Sequence, residues 1–162
     1  MSAGVLSLFP SGGLEVFFLL GQSDVLVALI FFLTTATLIT FCVPGILIPT
    51  AVASGALLGT WPAAAAVLAG TLVGSQLLFI LARWFGKDWV SRRLGKHLER
   101  FDSVQGVHGF WHVAGLRIIG VPHFIVTTGS ALTAMKASTF AAATLLGMMP
   151  AISLAASAGA AL

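Results

Sequence analysis

The sequence predicts an all-α integral membrane protein, and its composition is the first reason. Of the 162 residues, 58% are hydrophobic and 8% are charged, and the mean hydropathy is +1.05. A soluble domain carries about 25% charged residues, so this chain lacks the polar groups needed to cover a globule in water. The length allows one membrane domain over residues 1–162, with about four or five apolar segments at roughly 20 residues for each span.

The second reason is a pair of apolar segments that are interrupted at matching positions. Pro49 and Pro122 are 73 residues apart, and the run TLVG at residues 71–74 recurs as TLLG at residues 144–147, at the same offset. Corresponding interruptions in two halves of a membrane protein are typical of a transport site made from broken helices. The alternative, in which the prolines only kink packed helices, stays open at this point.

The third reason is the position of the positive charges. Most of the basic residues fall in one segment, and they are Arg83, Lys87, Arg92, Arg93, Lys96 and Arg100. By the positive-inside rule we expect residues 83–107 to be cytoplasmic, in a multi-pass protein of a bacterial inner membrane. The apolar residues of 86–107 recur near helical spacing, which predicts an amphipathic helix in the membrane interface. This helix would serve as an anchoring and topology device; in the alternative interpretation its cations after Arg83 bind anionic lipid headgroups.

The first predicted repeat, residues 24–85, begins with a helix that is interrupted by prolines. Asp24 or its neighbour caps a helix over residues 25–41. Pro44, Gly45 and Pro49 then follow within six residues, and proline both removes a backbone donor and clashes with the preceding turn. A continuous helix is therefore excluded at this point.

The remainder of this repeat predicts a re-entrant hairpin and a span. The chain resumes over residues 50–59, which is about 15 Å of helix and half the thickness of a bilayer. We expect this short helix to return to the face from which the chain entered. Residues 63–85 are long enough to cross the membrane and end at the basic segment.

The second predicted repeat, residues 108–162, has the same plan. Residues 110–119 are apolar apart from Arg117, a break follows at Pro122, and a short helix over 123–135 precedes a last span over 137–162. We expect Gly147 and Pro150 to interrupt that last span. Because one full span separates the two hairpins, they would enter from opposite faces, which makes the repeats inverted.

Two breaks that approach from opposite leaflets would form a substrate site near the midplane. Half-helix N-termini there present positive dipole ends to an anionic group. Arg117 is an intramembrane cation, by default a functional residue, and its guanidinium matches phosphate oxygens. Snorkelling to the interface, or pairing with carbonyls at the break, is the structural alternative for Arg117. The candidate substrate-binding residues are Arg117, Pro122, His123, Pro49, Pro44, Gly45 and Arg83.

Other chemistry is weakly represented in the sequence. The single Cys42 excludes an internal disulfide, and His108 and His112 share a helix face without a third metal ligand in sight. No nucleophile–base set, phosphate loop or metal site is evident, so we expect no enzyme activity, no cofactor and no nucleic-acid partner. The spacing Gly70-x3-Gly74 permits close helix packing, which is compatible with a homo-oligomer.

Several stretches together resemble the DedA/SNARE-associated Golgi protein superfamily. They are VPG at 43–45 with Pro49, FILARWFGK at 79–87, LRIIGVPHF at 116–124, and the later Gly129, Phe140, Thr144 and Gly147 to Pro150. The order and spacing of these stretches are most similar to the Tvp-type branch, whose core is the VTT domain. The resemblance implies two opposed re-entrant segments and movement of lipids between leaflets, including phospholipids and polyprenyl phosphates. The family's arginine near the second re-entrant segment corresponds to Arg117.

One departure from the family pattern concerns energy coupling. Many DedA proteins place a carboxylate beside the first proline motif, whereas residues 42–59 here contain no Asp or Glu. The resemblance implies a flippase or scramblase, and this departure favours energy-independent scrambling, or coupling through some other group, over a proton relay. Two other functions stay open: a non-transporting protein that organises membrane partners through its basic amphipathic helix, and a small-ion transporter.

Overall fold

Five helices make up the computed structural model, which describes the backbone of residues 11–162 and the side chains of residues 24–86 and 109–162. In chain order they are α1 (Ser11–Thr40), α2 (Leu47–Leu58), α3 (Thr60–Ile119), α4 (His123–Ala131) and α5 (Ala137–Ala160). No strand occurs between residues 11 and 162, so the all-helical fold class is confirmed. Within the predicted amphipathic segment, residues 86–107, the side chains of residues 87–107 lie outside the described residues.

Two helical stretches among the described residues are long and apolar enough to cross a membrane. They are Thr60–Gly86 and Ala137–Ala160, and they coincide with the two predicted full spans. The stretches Asp24–Thr40 and Leu47–Leu58 are apolar but shorter. In chain order, a break followed by a short helix therefore comes before each helix of spanning length.

The last span is continuous, which corrects the prediction that Gly147 and Pro150 interrupt it. Both residues lie inside α5. Pro150 is exposed, whereas Gly147 is buried where α5 packs against α3. The glycine is thus a packing residue, and the proline is accommodated within the helix on its outer face.

The first break is a turn over residues 41–46, in which Cys42 (φ 60°) and Gly45 (φ 74°) adopt left-handed conformations. α2 begins at Leu47, three residues earlier than predicted. Pro49 therefore lies in the first turn of α2, not in the break. This position tolerates proline, because the first four N–H groups of a helix have no intrahelical partner.

The second break is shorter. Gly120 ends α3 with a left-handed φ of 88°, and Pro122 is the N-cap residue of α4. α4 ends at Ala131, four residues before the predicted end at Met135. The carbonyl groups of Ala131 and Met135 instead accept hydrogen bonds from Arg83 of α3, which holds the chain after α4 in a turn.

The helices pack through two apolar clusters at successive positions along α5. One joins α2, the start of α3 and α5, with Val67 and Ile152 fully buried. The other joins both described parts of α3 to α4 and α5, and in it Phe79 and Phe140 stack with ring centroids 4.6 Å apart. α3 contacts each of the other four helices, whereas α5 packs mainly against α3 and α2.

Glycines allow α2 and α5 to approach backbone to backbone. A Cβ atom built on Gly55 would overlap the carbonyl oxygen of Ala156, and one built on Gly159 would overlap that of Val52. Small residues at such crossings are typical of membrane helix pairs, which associate through close packing. This contact fixes the first hairpin on α5.

Candidate functional site

The two breaks line a single cavity of about 270 Å³. The first break contributes residues of the turn between α1 and α2, and the second contributes the start of α4. The lining residues are Ile39, Cys42, Val43, Pro44, Gly45, Ile46, Leu47, Gly120, Pro122, His123 and Phe124. Segments almost 80 residues apart in sequence are therefore brought together as the paired interruptions predict.

Two helix N-termini face this cavity. Ile46 and Leu47 begin α2, and Pro122 and His123 begin α4. The first N–H groups of a helix lack intrahelical partners and carry the positive end of the helix dipole. No Asp or Glu lines the cavity, so its electrostatics favour an anion.

Arg117 lies directly behind the cavity and is directed into the bundle. Its side chain is 4% exposed, and it is not among the lining residues. Nη1 is hydrogen-bonded to Nδ1 of His123, and Nη2 donates to Oγ1 of Thr127 at 3.0 Å. The guanidinium lies 5.5 Å from the ring centroid of Phe140. All of these partners are uncharged, and Nε is buried without a hydrogen-bond partner.

His123 connects Arg117 to the first half of the protein. Its Nε2 atom is 2.7 Å from Oγ of Ser75 on α3. The Ser75 hydroxyl donates to the carbonyl oxygen of Thr71 at 2.5 Å. Nothing in the local sequence singles out Ser75, because a serine in an apolar helix usually bonds only to its own helix backbone.

Arg83 lies at the opposite end of α4 from Arg117. Its Nε donates to the carbonyl oxygen of Ala131 at 3.0 Å, and Nη2 donates to those of Thr133 and Met135 at 2.6 and 2.8 Å. A cation at the C-terminal carbonyls of a helix is favoured by the helix dipole. Of the two arginines predicted to bind substrate, Arg117 adjoins the cavity, whereas Arg83 holds the end of α4.

The repeated glycines occupy equivalent helix crossings. A Cβ atom on Gly74 would lie 2.9 Å from Cβ of Ile39 in α1, and one on Gly147 would lie 2.7 Å from Cβ of Arg117 in α3. Each glycine therefore packs on the last turn of the helix that precedes a break. The first crossing has an apolar partner, and the second has the buried cation.

The first residue of each repeated TLxG run is also equivalent. Thr71 and Thr144 are both 1% exposed, and the Oγ1 atom of each is buried without a hydrogen-bond partner. Threonines usually bond to the carbonyl one turn earlier in such helices, as Thr35 does here at 2.7 Å. The sequence repeat thus marks matching polar positions in the interior as well as matching contacts.

The remaining predicted residues divide into three groups. Pro44, Gly45, Pro122 and His123 line the cavity, whereas Pro49 is exposed on α2 and does not. The side chains of Lys87, Arg92, Arg93, Lys96 and Arg100 lie outside the described residues, as does that of His108. Within residues 24–86 and 109–162 there is no cluster of three His, Cys, Asp or Glu that could hold a metal ion.

Comparison with known proteins gives one match. The VTT domain family matches residues 43–161, which is well over half of the chain and includes most of the first break, the whole second break, Arg117 and the two repeated glycines. No curated protein and no solved structure matches the chain. The finer assignment to the Tvp-type branch stays a prediction.

Proposed function

We propose that this chain, which belongs to the VTT domain family of the DedA/SNARE-associated Golgi superfamily, is a membrane lipid transporter. Proteins with this domain are membrane proteins, and the two apolar helices fit insertion. The observation that supports transport is the shared cavity, where two helix N-termini meet in front of a buried arginine. Its substrate would be a phospholipid or a polyprenyl-phosphate lipid.

In the proposed topology the two hairpins are re-entrant and enter from opposite faces. α2 has 12 residues and α4 has 9, which correspond to about 18 and 13 Å of helix. Neither length crosses a hydrocarbon core of about 30 Å. Non-helical backbone at membrane depth is tolerated where it is buried in protein or lines a water-filled cavity, and the two turns meet at one cavity.

In the proposed complex the lipid phosphate binds in the cavity, near the N-termini of α2 and α4. A volume of about 270 Å³ is below the roughly 300–1,000 Å³ of sites that enclose drug-sized ligands. The cavity would hold a headgroup while the acyl or prenyl chains stay in the bilayer. The unpaired N–H groups of α2 and α4, together with Arg117, would replace the water that solvates the phosphate.

We infer that transfer is energy-independent. Asp and Glu are common members of intramembrane proton relays, and none of them lines the cavity. Lipid would therefore move in either direction, down its own gradient.

Reconstitution into liposomes tests the proposal. Protein would be inserted into vesicles that contain fluorescent phosphatidylglycerol or, in parallel, fluorescent phosphatidylcholine, and transfer would be followed by quenching the outer leaflet. We expect faster transfer of the anionic lipid than in empty vesicles, and loss of that transfer in Arg117→Ala. His112→Ala, an exposed histidine on α3, is the control and should transfer lipid at the wild-type rate.

The alternative function, a non-transporting organiser of membrane partners, predicts a different outcome. If no labelled lipid moves with the wild-type protein, the transport proposal fails. If Arg117→Ala behaves as wild type while Lys96→Ala and Arg100→Ala abolish function, the basic segment carries the activity instead. A fluorescent polyprenyl phosphate in a third set of vesicles would separate the two lipid classes.

A further inference from the structure

The hydrogen bonds around His123 have one consistent set of directions. A guanidinium group only donates, so Nδ1 of His123 accepts from Nη1 of Arg117. The proton of the neutral ring is then on Nε2, which donates to Oγ of Ser75 at 2.7 Å. Ser75 in turn donates to the carbonyl oxygen of Thr71. The ring is therefore held from both sides, with its acceptor nitrogen on the arginine.

This ring separates Arg117 from the cavity. His123 lines the cavity and contacts the guanidinium, whereas Arg117 is 4% exposed and does not line it. A headgroup that enters between the two breaks meets the imidazole before it can reach Nη1. Direct contact between phosphate and Arg117 thus requires the ring to move aside.

The site also lacks a negative charge for Arg117. Its two hydrogen-bond partners, His123 and Thr127, are neutral, and its third donor position, Nε, has no partner. Burial of an unpaired charge is costly, and hydrogen bonds between two ionised groups are stronger than those to a neutral acceptor. A phosphate oxygen would therefore displace the imidazole nitrogen from Nη1.

We propose that His123 is a positioning residue that occupies Arg117 when no substrate is bound and is displaced by the lipid phosphate. This inference rests on the proposed function. His123 is then a competitor of the substrate, not a ligand for it, and Ser75 strengthens the competition by holding the ring in place. The two roles predict changes of opposite sign when His123 is removed.

Binding of a short-chain anionic lipid to the detergent-solubilised protein tests whether removal of His123 raises or lowers the affinity. Dihexanoyl phosphatidylglycerol would be titrated and its Kd measured by native mass spectrometry, with inorganic phosphate as a second probe to distinguish a free anion from a headgroup. His123→Ala should lower the Kd about tenfold, because one charge-assisted hydrogen bond no longer competes. Ser75→Ala should lower it by a smaller factor of about three.

A second measurement does not depend on the alanine variant. In protein labelled with ¹⁵N-histidine, the His123 Nδ1 signal should be that of an unprotonated acceptor without lipid, and should shift on addition of dihexanoyl phosphatidylglycerol. His112 serves as the internal reference. His123→Asn provides a smaller polar side chain if His123→Ala does not fold.

The outcomes separate the inference from the proposed function. A higher or unchanged Kd in both His123 variants, or a protonated Nδ1 in the lipid-free protein, would overturn the role assigned to His123. If the variants bind more tightly but no labelled lipid crosses liposomes, the transport proposal fails and the competition stands. If neither the wild type nor the variants bind either probe, both ideas are wrong.

Discussion

The two glycine crossings of this protein have the same geometry and opposite chemistry. Gly74 packs α3 against Ile39 near the end of α1, and Gly147 packs α5 against Arg117 near the end of α3. Ile39 is five residues before Pro44, and Arg117 is five residues before Pro122. The same close contact between a glycine and the helix before a break therefore occurs twice, once with an apolar side chain and once with a cation.

The difference shows which part of the repeat is structural and which part is specific to one half. Both crossings need glycine because backbone and Cβ atoms of the facing helix lie within 3 Å of the position that a Cβ would take. The side chain that precedes the break differs between the two crossings, and in each case the atom of that side chain nearest the glycine's Cβ position is its own Cβ. Arg117 gives the second half a charge without disturbing that packing.

The largest expected effect comes from making the second crossing resemble the first. Arg117→Ile places there the residue that the first crossing already accommodates, so the helical content and the apparent Tm should stay close to those of wild type. Lipid transfer in liposomes should fall about 100-fold, because a buried charged contact to the phosphate is lost. Transfer within threefold of wild type would show that the charge is not needed.

Adding one methyl group at Gly74 or at Gly147 should destabilise the protein, by a similar amount at the two crossings. Gly74→Ala and Gly147→Ala would each force two packed helices apart, at a cost of about 2 kcal/mol in stability. Gly147→Ala should in addition reduce lipid transfer per folded protein, because it displaces Arg117. Thermal unfolding in detergent, followed by helical signal, measures the first effect.

The control for these variants is Gly129→Ala. Nothing lies within 4 Å of a Cβ built on Gly129, and alanine is favoured over glycine in a helix by up to about 1 kcal/mol. Its Tm should be equal to or higher than that of wild type. A drop in Tm as large as that of Gly74→Ala would mean that loss of glycine, and not the close crossing, causes the destabilisation.

A smaller effect is expected at the other arginine, which tests whether the two cations have different roles. Arg83→Ala removes the donors for the carbonyls of Ala131, Thr133 and Met135, with a loss of about 1–2 kcal/mol because Arg83 is partly exposed. Arg83→Lys should recover part of that stability. Lipid transfer, normalised to folded protein, should change far less than in Arg117→Ile. Equal losses of transfer would place Arg83 in the site.

The smallest effect is expected at Pro49. The comparison with Pro44 decides which of these two prolines is the counterpart of Pro122. Pro49 is exposed in the first turn of α2 and does not line the cavity, whereas Pro44 does. Pro49→Ala should change stability by no more than about 0.5 kcal/mol and leave lipid transfer within twofold of wild type. Pro44→Ala should have the larger effect on transfer. The reverse order would restore Pro49 as the counterpart of Pro122.

Much of the fold could be predicted from local sequence. Low charge content, two spans of sufficient length and the Pro/Gly clusters predict an all-helical membrane protein with two breaks, and each break lies where the proline and glycine residues are densest. The exact ends were less predictable. α2 begins before Pro49 because proline is tolerated in a first turn, and α4 ends at Ala131 because Arg83 binds the carbonyls that follow.

The candidate site was only partly predictable. Arg117 was identifiable because a charge in an apolar run is costly unless it has partners. Ser75 was not, since its partner is 48 residues away in sequence and nothing local distinguishes it from a serine bonded to its own helix. Local sequence also does not show that Pro44 lines the cavity and Pro49 does not, because both are prolines beside the same break.

By itself, therefore, the sequence determined that the chain is a helical membrane protein, where its breaks lie, and that it has an interior cation. These properties depend on hydrophobicity, on the backbone restrictions of proline and glycine, and on charge. Tertiary structure alone decided that Arg117 lies behind His123, that Arg83 holds the end of α4, and that Pro44 lines the cavity while Pro49 does not. Those arrangements depend on which helices cross and how closely. At each crossing, a glycine allows the two helices to approach closely. Which helix faces that glycine is visible only in the tertiary structure.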